Sequence, residues 1–251
     1  MFGLTEPRNV APLVVRLDGV SVVASDAAAL HALDASRVRE LAPGELLVCA
    51  DGKQTSLHPL SRRPAARCAV AALGLASEAH PTSLGPAAAL RREVGRVMAR
   101  LHPASDATTV VAADPLSLPV AAGFAEVASI AVAPSVGGTA AALAPWVAGR
   151  AVVVVAAIDG RAAATACANA IAGGARDVHL RVASGAVRRA CPYGVDLDPP
   201  GLTTEVASVA WLGGAGIRAL AGEGWCHACA EETWPVPPEG DGQLSLFTPT
   251  S

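Results

Sequence analysis

The feature that most constrains the fold is a strand–helix–strand pattern between residues 151 and 183. Val152–Val155 is a continuous run of β-branched residues, which is typical of a strand buried on both faces. Residues 162–172 lack Gly and Pro and are rich in Ala, the best helix former, and Gly173-Gly174 ends this predicted helix. A second strand follows, with alternating apolar residues at Val178, Leu180 and Val182. Such a unit builds a parallel sheet flanked by helices, so the sequence predicts an α/β fold with a ligand site in the loop after the first strand.

The composition narrows the classes of protein to which the chain can belong. Its 251 residues allow one or two domains, and the net charge of −3 predicts no direct nucleic-acid binding. The apolar runs are too short to span a bilayer, and residues 1–7 lack the pattern of a signal peptide. We therefore expect a cytoplasmic protein without a membrane partner. In that compartment, six cysteines indicate metal or thiol chemistry rather than a disulfide framework.

The remainder of the chain divides into three predicted parts. Residues 1–60 are β-rich, with candidate strands at 13–15, 20–24 and 45–49. The middle of the chain alternates helices and strands, with helices predicted at 86–101, 119–128 and 205–220 and a further strand at 110–112. Residues 235–242 are Pro, Glu, Gly and Asp in large part, which favours a flexible linker.

Three parts of the chain carry motifs that belong together: Gly174–Ser184 followed by Cys191-Pro-Tyr-Gly-Val-Asp196, Ala24–Leu30 with Arg39 and Pro43-Gly-Glu45, and Gly224-Trp-Cys-His-Ala-Cys229. Together they resemble the amidophosphoribosyltransferases, which make phosphoribosylamine from glutamine and phosphoribosyl pyrophosphate. The first resembles a late segment of that family, the second the end of its glutaminase domain, and the third its carboxyl-terminal segment. The resemblance implies an Ntn-hydrolase (glutaminase) remnant at 1–60, a phosphoribosyltransferase-like domain at 61–234 and a tail with a short linear motif at 235–251.

The residues that carry the family's chemistry are replaced in this chain. The two acids that hold the ribose hydroxyls fall on Ala156 and Ala157, and the phosphate cradle falls on residues 162–164, which are all Ala. The remnant of the phosphate loop is Asp159, Gly160 and Arg161, and no Lys or Arg occurs between residues 129 and 149. The chain also begins well inside the glutaminase half, so neither nucleophile nor glutamine pocket is expected to be complete. We expect no catalytic residues and no activity of the family type, because nothing visible stabilises a bound pyrophosphate. The alternative is an active phosphoribosyltransferase of purine biosynthesis that uses ammonia, with Asp159 and Arg161 in a rebuilt loop.

Four of the cysteines, unlike the substrate-binding residues, match positions that have a function in the family. In the iron–sulfur branch of the family four cysteines hold a [4Fe–4S] cluster, and their positions match Cys68, Cys191, Cys226 and Cys229. A Cys-x-x-Cys pair with two distant cysteines also suits zinc, which is the alternative metal. Cys49 and Cys167 are predicted to be buried as small hydrophobic residues, and His227 to point outward. The expected role of the cluster is structural or redox-sensing.

The tail contains a second short motif. Gln243-Leu-Ser-Leu-Phe247 resembles the peptide by which bacterial replication and repair proteins bind the DNA polymerase sliding clamp. The flexible linker would deliver Gln243 with three apolar side chains, Leu244, Leu246 and Phe247, to a hydrophobic pocket. This motif suggests an alternative function as a clamp-tethered replication or repair accessory factor. The competing interpretation is that the three apolar side chains pack on the protein's own domain or on a neighbouring subunit.

Overall fold

The computed structural model describes thirteen stretches of the chain: residues 2–4, 14–17, 20–24, 38–42, 45–50, 53–59, 67–74, 81–82, 85–158, 160–188, 191, 205–222 and 224–231. Within them the first strands are β1 (Phe2–Leu4), β2 (Val14–Leu17), β3 (Ser21–Ala24), β4 (Val38–Glu40), β5 (Leu46–Ala50), β6 (Lys53–Leu57) and β7 (Arg67–Cys68). Next come α1 (Ala69–Gly74), β8 (Pro81–Thr82), β9 (Gly85–Pro86) and α2 (Ala87–Leu101).

The central part of the chain alternates strands and helices. Its elements are β10 (Thr109–Ala112), a 3₁₀ turn (Pro115–Ser117), α3 (Leu118–Ala128), β11 (Ala131–Val132), α4 (Ala140–Val147), β12 (Ala151–Ala156), α5 (Arg161–Ala172) and β13 (Asp177–Val182). The last described elements are β14 (Ser208–Trp211), α6 (Gly213–Ala221), β15 (Trp225–Cys226) and α7 (Ala228–Glu231). No helix in these described stretches is both long enough and apolar enough to cross a membrane.

A five-stranded parallel sheet organises this central part. Its strand order is β11-β10-β12-β13-β14, and every neighbouring pair is parallel. The order reverses between β10 and β12, because β11 lies on one side of β10 and the later strands lie on the other. The prediction of an α/β fold with a parallel sheet and flanking helices is therefore confirmed, and the carboxyl ends of β10 and β12 form a topological switch point.

Both faces of β12 are covered by helices, which explains its continuous run of valines. Val153 and Val155 belong to a core shared with α2 and α3, whereas Val152 and Val154 belong to a core shared with α4 and α5. All six residues of β12 are buried. A strand enclosed on both sides needs apolar side chains at every position, so the alternation seen in half-exposed strands is absent here.

Two glycines let α2 and α3 cross at close range. A Cβ atom at Gly95 would meet the backbone carbonyl of Val120, and one at Gly123 would meet that of Arg92. Side chains beside this crossing, among them Leu90, Val94 and Phe124, are fully buried. The close packing of α2 on α3 forms one side of the core that covers Val153 and Val155 of β12.

The early strands form two antiparallel sheets, in the orders β1-β5-β6 and β3-β2-β4. Glu45 is the buried polar centre of this region: its carboxylate accepts hydrogen bonds from Arg39 at 2.8 and 3.1 Å and from the Ser56 hydroxyl at 2.6 Å. These donors, with the Arg39 hydrogen bond as the largest cause, lower the pKa of Glu45 to about 2.

One element differs from its predicted type. The helix predicted over 205–220 is wrong in its first half, because Ser208–Trp211 is the edge strand β14 and only residues 213–221 are helical. Val206 and Val209 pack into the core beside β13, and Gly213 has a φ of +67°, which marks the break between strand and helix. Residues 208–211 form a strand because they pair with β13, although their apolar spacing also suits a helix.

Candidate metal centre

Cys68 and Cys226 are direct neighbours in a two-stranded parallel pair. Strands β7 and β15 align Arg67 with Trp225 and Cys68 with Cys226, and the Arg67 amide donates to the Gly224 carbonyl at 2.8 Å. Gly224 has a φ of +90°, a conformation that glycine adopts without strain. Paired residues of a parallel ladder project their side chains to the same face, so both thiols lie on one side of this pair.

Helix α1 begins immediately after Cys68 and is held at both ends. The Cys68 sulfur accepts a hydrogen bond from the Ala71 amide at 3.3 Å. At the other end, the fully buried Arg91 of α2 donates to the Leu73 carbonyl at 2.7 Å and to the Ala72 carbonyl at 3.3 Å. These contacts satisfy carbonyls that a helix leaves without an internal partner, and they fix the position of Cys68 relative to the main core.

Cys229 approaches Cys68 from the start of α7. The two residues pack in one buried cluster with Val70. The Cys229 carbonyl accepts a hydrogen bond from the Arg188 amide at 2.8 Å, which ties the segment after β13 to α7. The Cys-x-x-Cys turn therefore faces the same region as β7.

The fourth predicted ligand, Cys191, is half-buried and electrostatically coupled to the other three. Burial, the largest cause, and negative charge on Cys226, Cys229 and Cys191 together raise the pKa of Cys68 to about 12, although the hydrogen bond from the Ala71 amide acts in the opposite direction. Burial is also the main cause of the raised pKa values of Cys226 and Cys229, and charge on Cys191 contributes to both. The structure thus brings together the cysteines that sequence reasoning selected, as free thiols.

The neighbouring thiols do not form a closed ligand set. Across the described residues, no three Cys, His, Asp or Glu side chains converge closely enough to count as a finished metal site. The donor set suits an iron–sulfur cluster or zinc, and the four sulfur atoms would have to converge around either group. The raised pKa values of Cys68, Cys226 and Cys229 keep these thiols neutral, and neutral thiols can lie near one another without the repulsion that thiolates would have.

His227 lies inside the protein, which corrects the prediction that it points outward. It is 5% exposed, and burial lowers its pKa to about 4, so the ring is neutral near pH 7. Its Nε2 atom has no hydrogen-bond partner among the described residues. Gly214 of α6 makes room for the ring, since a side chain there would collide with His227 and Glu231. The glycine-rich start of α6 was the sequence signal for this close approach.

Of the two remaining cysteines, Cys167 is buried as predicted, whereas Cys49 is only half-buried. Cys167 on α5 is fully buried in the main core, and burial raises its pKa to about 12. Cys49 lies on β5, half-buried against the small core around Leu41 and Leu47. Neither thiol is among the causes of the raised pKa values of Cys68, Cys226 and Cys229.

The switch point of the sheet contains no carboxylate pair among the described residues. Ala156 and Ala157 are fully buried there, Gly160 precedes α5, and Arg161 is an exposed residue of its first turn. Asp159 lies outside the described residues. The first turn of α5 reads Arg-Ala-Ala-Ala and offers no hydroxyl to a phosphate.

Hydrogen bonds of Ser117, which the sequence analysis did not predict, connect the loop after β10 with the loop after β12. Ser117 is fully buried; its hydroxyl donates to Asp114 Oδ1 at 2.8 Å and accepts from the Ala157 amide at 2.9 Å. Asp114 also accepts from the Ser117 amide and so caps the 3₁₀ turn. The Asp-Pro-x-Ser spacing at 114–117 was the available signal, since it is typical of a capped turn.

The predicted clamp-binding residues Gln243, Leu244, Leu246 and Phe247 lie outside the described residues.

Solved structures place this fold among known proteins. No protein-family model matches the chain, and no curated protein matches its sequence. The chain is similar to glutamine phosphoribosylpyrophosphate (PRPP) amidotransferase from B. subtilis complexed with ADP and GMP, with a TM-score of 0.81, 19% identity, and coverage of 96% of this chain and 63% of that one. This chain therefore shares its fold with part of that enzyme. A structure of the allosteric regulatory enzyme of purine biosynthesis is equally similar, with a TM-score of 0.81, 19% identity and coverage of 96% and 61%.

These relationships concern the fold. The five-stranded parallel sheet and its helices match the phosphoribosyltransferase part of the amidotransferase. This chain spans less than two thirds of the length of either protein.

Proposed function

We propose that this protein is a catalytically inactive amidophosphoribosyltransferase-like protein that acts by binding and carries a four-cysteine metal centre. The observation that carries the proposal is the pairing of Cys68 with Cys226, with Cys229 packed against Cys68 and Cys191 close enough for its charge to act on both paired cysteines. The N-terminal antiparallel strands are the remnant of a glutaminase domain in this proposal. The metal centre is retained while the substrate site is not.

The sheet's switch point supports the loss of phosphoribosyl chemistry. Transfer from phosphoribosyl pyrophosphate needs groups that neutralise several phosphate charges, such as a metal held by carboxylates and nearby cations. The residues at the ends of β10 and β12 are alanines, and the adjacent polar groups Ser117 and Asp114 hydrogen-bond to each other and to the backbone. Ser117 and Asp114 therefore connect the loops after β10 and β12 and do not neutralise phosphate charge in this proposal.

A [4Fe–4S] cluster is the proposed cofactor, with zinc as the alternative for the same ligands. Cys68, Cys191, Cys226 and Cys229 would supply the four thiolates that either one requires. When bound, the group would cross-link β7, the segment at residue 191, β15 and the start of α7, and an iron–sulfur cluster would also supply one-electron redox chemistry. Because burial favours the neutral thiols, loading must release their protons.

Metal analysis after anaerobic purification tests this proposal. Iron and acid-labile sulfide are measured together with the visible absorption spectrum and the zinc content. About four irons and four sulfides per chain support the cluster, whereas stoichiometric zinc supports a structural site without redox function. Folded protein that takes up neither metal, even after reconstitution with iron and sulfide, refutes the centre.

Loss of the enzyme activity is tested by ligand binding. Phosphoribosyl pyrophosphate with Mg²⁺ is added to the metal-loaded protein, and the thermal unfolding midpoint is measured. A ligand at a hundred times its Kd stabilises a folded protein by about 2.7 kcal/mol, so binding is easily detected. We expect no shift. A shift accompanied by ammonia-dependent release of pyrophosphate would establish the active phosphoribosyltransferase instead.

We further propose that the C-terminal peptide tethers the protein to the DNA polymerase sliding clamp. The support is the sequence Gln243-Leu-Ser-Leu-Phe247 after a linker rich in Pro, Glu and Gly. A peptide that orders only on binding gains affinity from a few buried apolar side chains. In this role the folded part is an accessory factor for replication or repair, and the metal centre supports its structure or senses redox state.

A further inference from the structure

A Ser–His–Asp constellation lies at the edge of the parallel sheet, outside the cysteine centre. His179 of β13 and Ser208 of β14 are paired in register on adjacent parallel strands. Asp106 comes from the loop between α2 and β10. These three residues are brought together by the sheet and by the return of that loop to its edge.

Both ring nitrogens of His179 face polar partners. Nδ1 is 2.9 Å from Ser208 Oγ, and Nε2 is 3.0 Å from Asp106 Oδ1. The second contact is short but does not have hydrogen-bond geometry, and Nε2 is buried without another partner among the described residues. Arg176 lies 3.7 Å from the other oxygen of the Asp106 carboxylate.

The surrounding groups fix the direction of the serine proton. A neutral His179 ring with its hydrogen on Nε2 avoids repulsion between the Nε2 lone pair and the Asp106 carboxylate, and in this tautomer Nδ1 is an acceptor. Arg181 can only donate, and its NH1 group lies 3.0 Å from Ser208 Oγ. The serine oxygen therefore accepts from Arg181 and directs its own hydrogen to His179, which is the arrangement of a nucleophile with its general base.

Arg181 is rigidly anchored and holds the constellation in place. Its side chain donates to the carbonyls of His102 at 2.7 Å, Pro103 at 3.0 Å and Leu180 at 2.9 Å. The first two carbonyls belong to the loop that carries Asp106. A guanidinium fixed beside Ser208 Oγ stabilises negative charge that develops on that oxygen.

Solvent reaches the constellation from one side. The side chain of Asp106 is 48% exposed, that of His179 is 13% exposed, and Ser208 is half-buried on the edge strand. The serine is thus neither enclosed in the core nor fully solvated, and its hydroxyl lies within the hydrogen-bond reach of His179 that a general base requires.

We propose that Ser208 is an activated nucleophile for small activated carboxylic esters, with His179 as its base and Asp106 as a positioning residue. Ser208 Oγ bonds to the ester carbonyl carbon while its proton passes to His179 Nδ1. The bond to the leaving oxygen then breaks, and that oxygen takes the proton from His179. Water repeats the sequence on the acyl-serine, releasing the carboxylic acid and restoring the hydroxyl. This activity is independent of the metal centre.

An irreversible probe tests the proposal on the full chain. An alkyl fluorophosphonate bonds its phosphorus to Ser208 Oγ, the P–F bond breaks, fluoride leaves and the proton passes to His179. The labelling rate is measured by fluorescence, and the modified peptide is identified by mass spectrometry. Ser208→Ala should abolish labelling, and His179→Gln should slow it by at least about 100-fold, the usual contribution of a general base.

Ser105 provides the matched control, because it is an exposed serine of the Asp106 loop with no histidine partner described. Ser105→Ala should label at the rate of the unmodified protein. Labelling at Ser208 that is no faster than at Ser105, or that is unaffected by His179→Gln, overturns the proposal and leaves the three residues as a structural pin of the sheet edge.

A second measurement guards against a variant that unfolds. Ser208→Cys and Ser105→Cys are each treated with iodoacetamide, and alkylation of the new cysteine is followed by mass spectrometry. An activating histidine should make the residue at 208 react at least about tenfold faster than the one at 105. Equal rates refute activation. Asp106→Asn should slow fluorophosphonate labelling, and Asp106→Glu should restore it.

Discussion

Cys68 and Cys226 are paired in register across two short parallel strands, although most of the domain's chain lies between them. The sheet and its helices must be in place for β7 and β15 to meet. The candidate metal centre is therefore a product of the complete fold, and its loading reports on tertiary structure as well as on ligand identity.

Removal of one ligand should empty the proposed centre. Cys68→Ser or Cys226→Ser should reduce iron from about four per chain to less than one, because a cubane needs its thiolate ligands. Cys49→Ser is the control: it changes a half-buried cysteine of β5 that is not among the four ligands. Iron and sulfide analysis with circular dichroism distinguishes loss of the metal from loss of the fold. Full iron content in both ligand variants would contradict the assignment.

The α2–α3 crossing should not tolerate an added methyl group. Gly95→Ala places its Cβ against the Val120 carbonyl, so the helices must separate, and we expect a loss of about 2–3 kcal/mol in the free energy of unfolding. Urea denaturation measures this loss. Gly149→Ala is a comparison variant, since Gly149 has a φ of +69° but open space around it, and backbone strain alone should cost only about 1–2 kcal/mol. Equal losses in the two variants would show that the crossing is not the cause.

The Glu45 carboxylate should stabilise the N-terminal strands in a pH-dependent way. Its pKa of about 2 in the folded state is below the usual carboxyl value near 4.5, so its stabilisation is complete above that value. It is lost as the pH falls from about 4.5 towards 2. Glu45→Gln should destabilise these strands by about 2 kcal/mol at pH 7, and the difference from the unmodified protein should shrink through that window.

Hydrogen exchange of peptides covering 38–57 measures the Glu45 effect locally. The Ala42 amide, which donates to Glu45 at 2.8 Å, should lose protection first. Glu205→Gln removes an exposed carboxylate and should leave exchange in these strands unchanged at every pH. A Glu45→Gln difference that stays constant from pH 7 to pH 2 would argue against the ionised carboxylate as its source.

The tail should bind the sliding clamp through its aromatic residue. Phe247→Ala should lower clamp affinity at least about tenfold, because a buried aromatic anchor dominates the energy of such short peptides. Surface plasmon resonance with immobilised clamp gives the Kd. Thr250→Ala, which changes a tail residue beyond the motif, is the matched control and should bind normally. Undiminished binding of Phe247→Ala would remove this proposal.

The sequence predicted the interior of the domain better than its edges. The valine run at 152–155 and the helix at 161–172 are specified by local composition and by burial on both faces, and both were predicted within a residue or two. Strand β14 was not, because its type depends on pairing with β13 rather than on its own spacing. The constellation around His179 was missed for the same reason, since it requires the register between these two strands and the return of a distant loop.

The motif resemblance predicted the four candidate ligands but did not predict which residues surround them. Nothing in the spacing of Cys226, His227 and Cys229 indicated that the ring turns inward. The decisive residue is Gly214 on α6, whose missing side chain leaves room for His227. Ser117 likewise escaped prediction, because its role is defined by the Ala157 amide, which is remote in sequence.

The pairing of β7 with β15 also sets an order of events during synthesis. Residue 68 is synthesised early, whereas residues 226 and 229 follow about 160 residues later. At about 5–20 residues per second, the first thiol waits roughly 8–32 seconds for these partners. The proposed centre therefore cannot assemble until β15 has been made, and a chain that ends before β15 would lack two of its four candidate ligands.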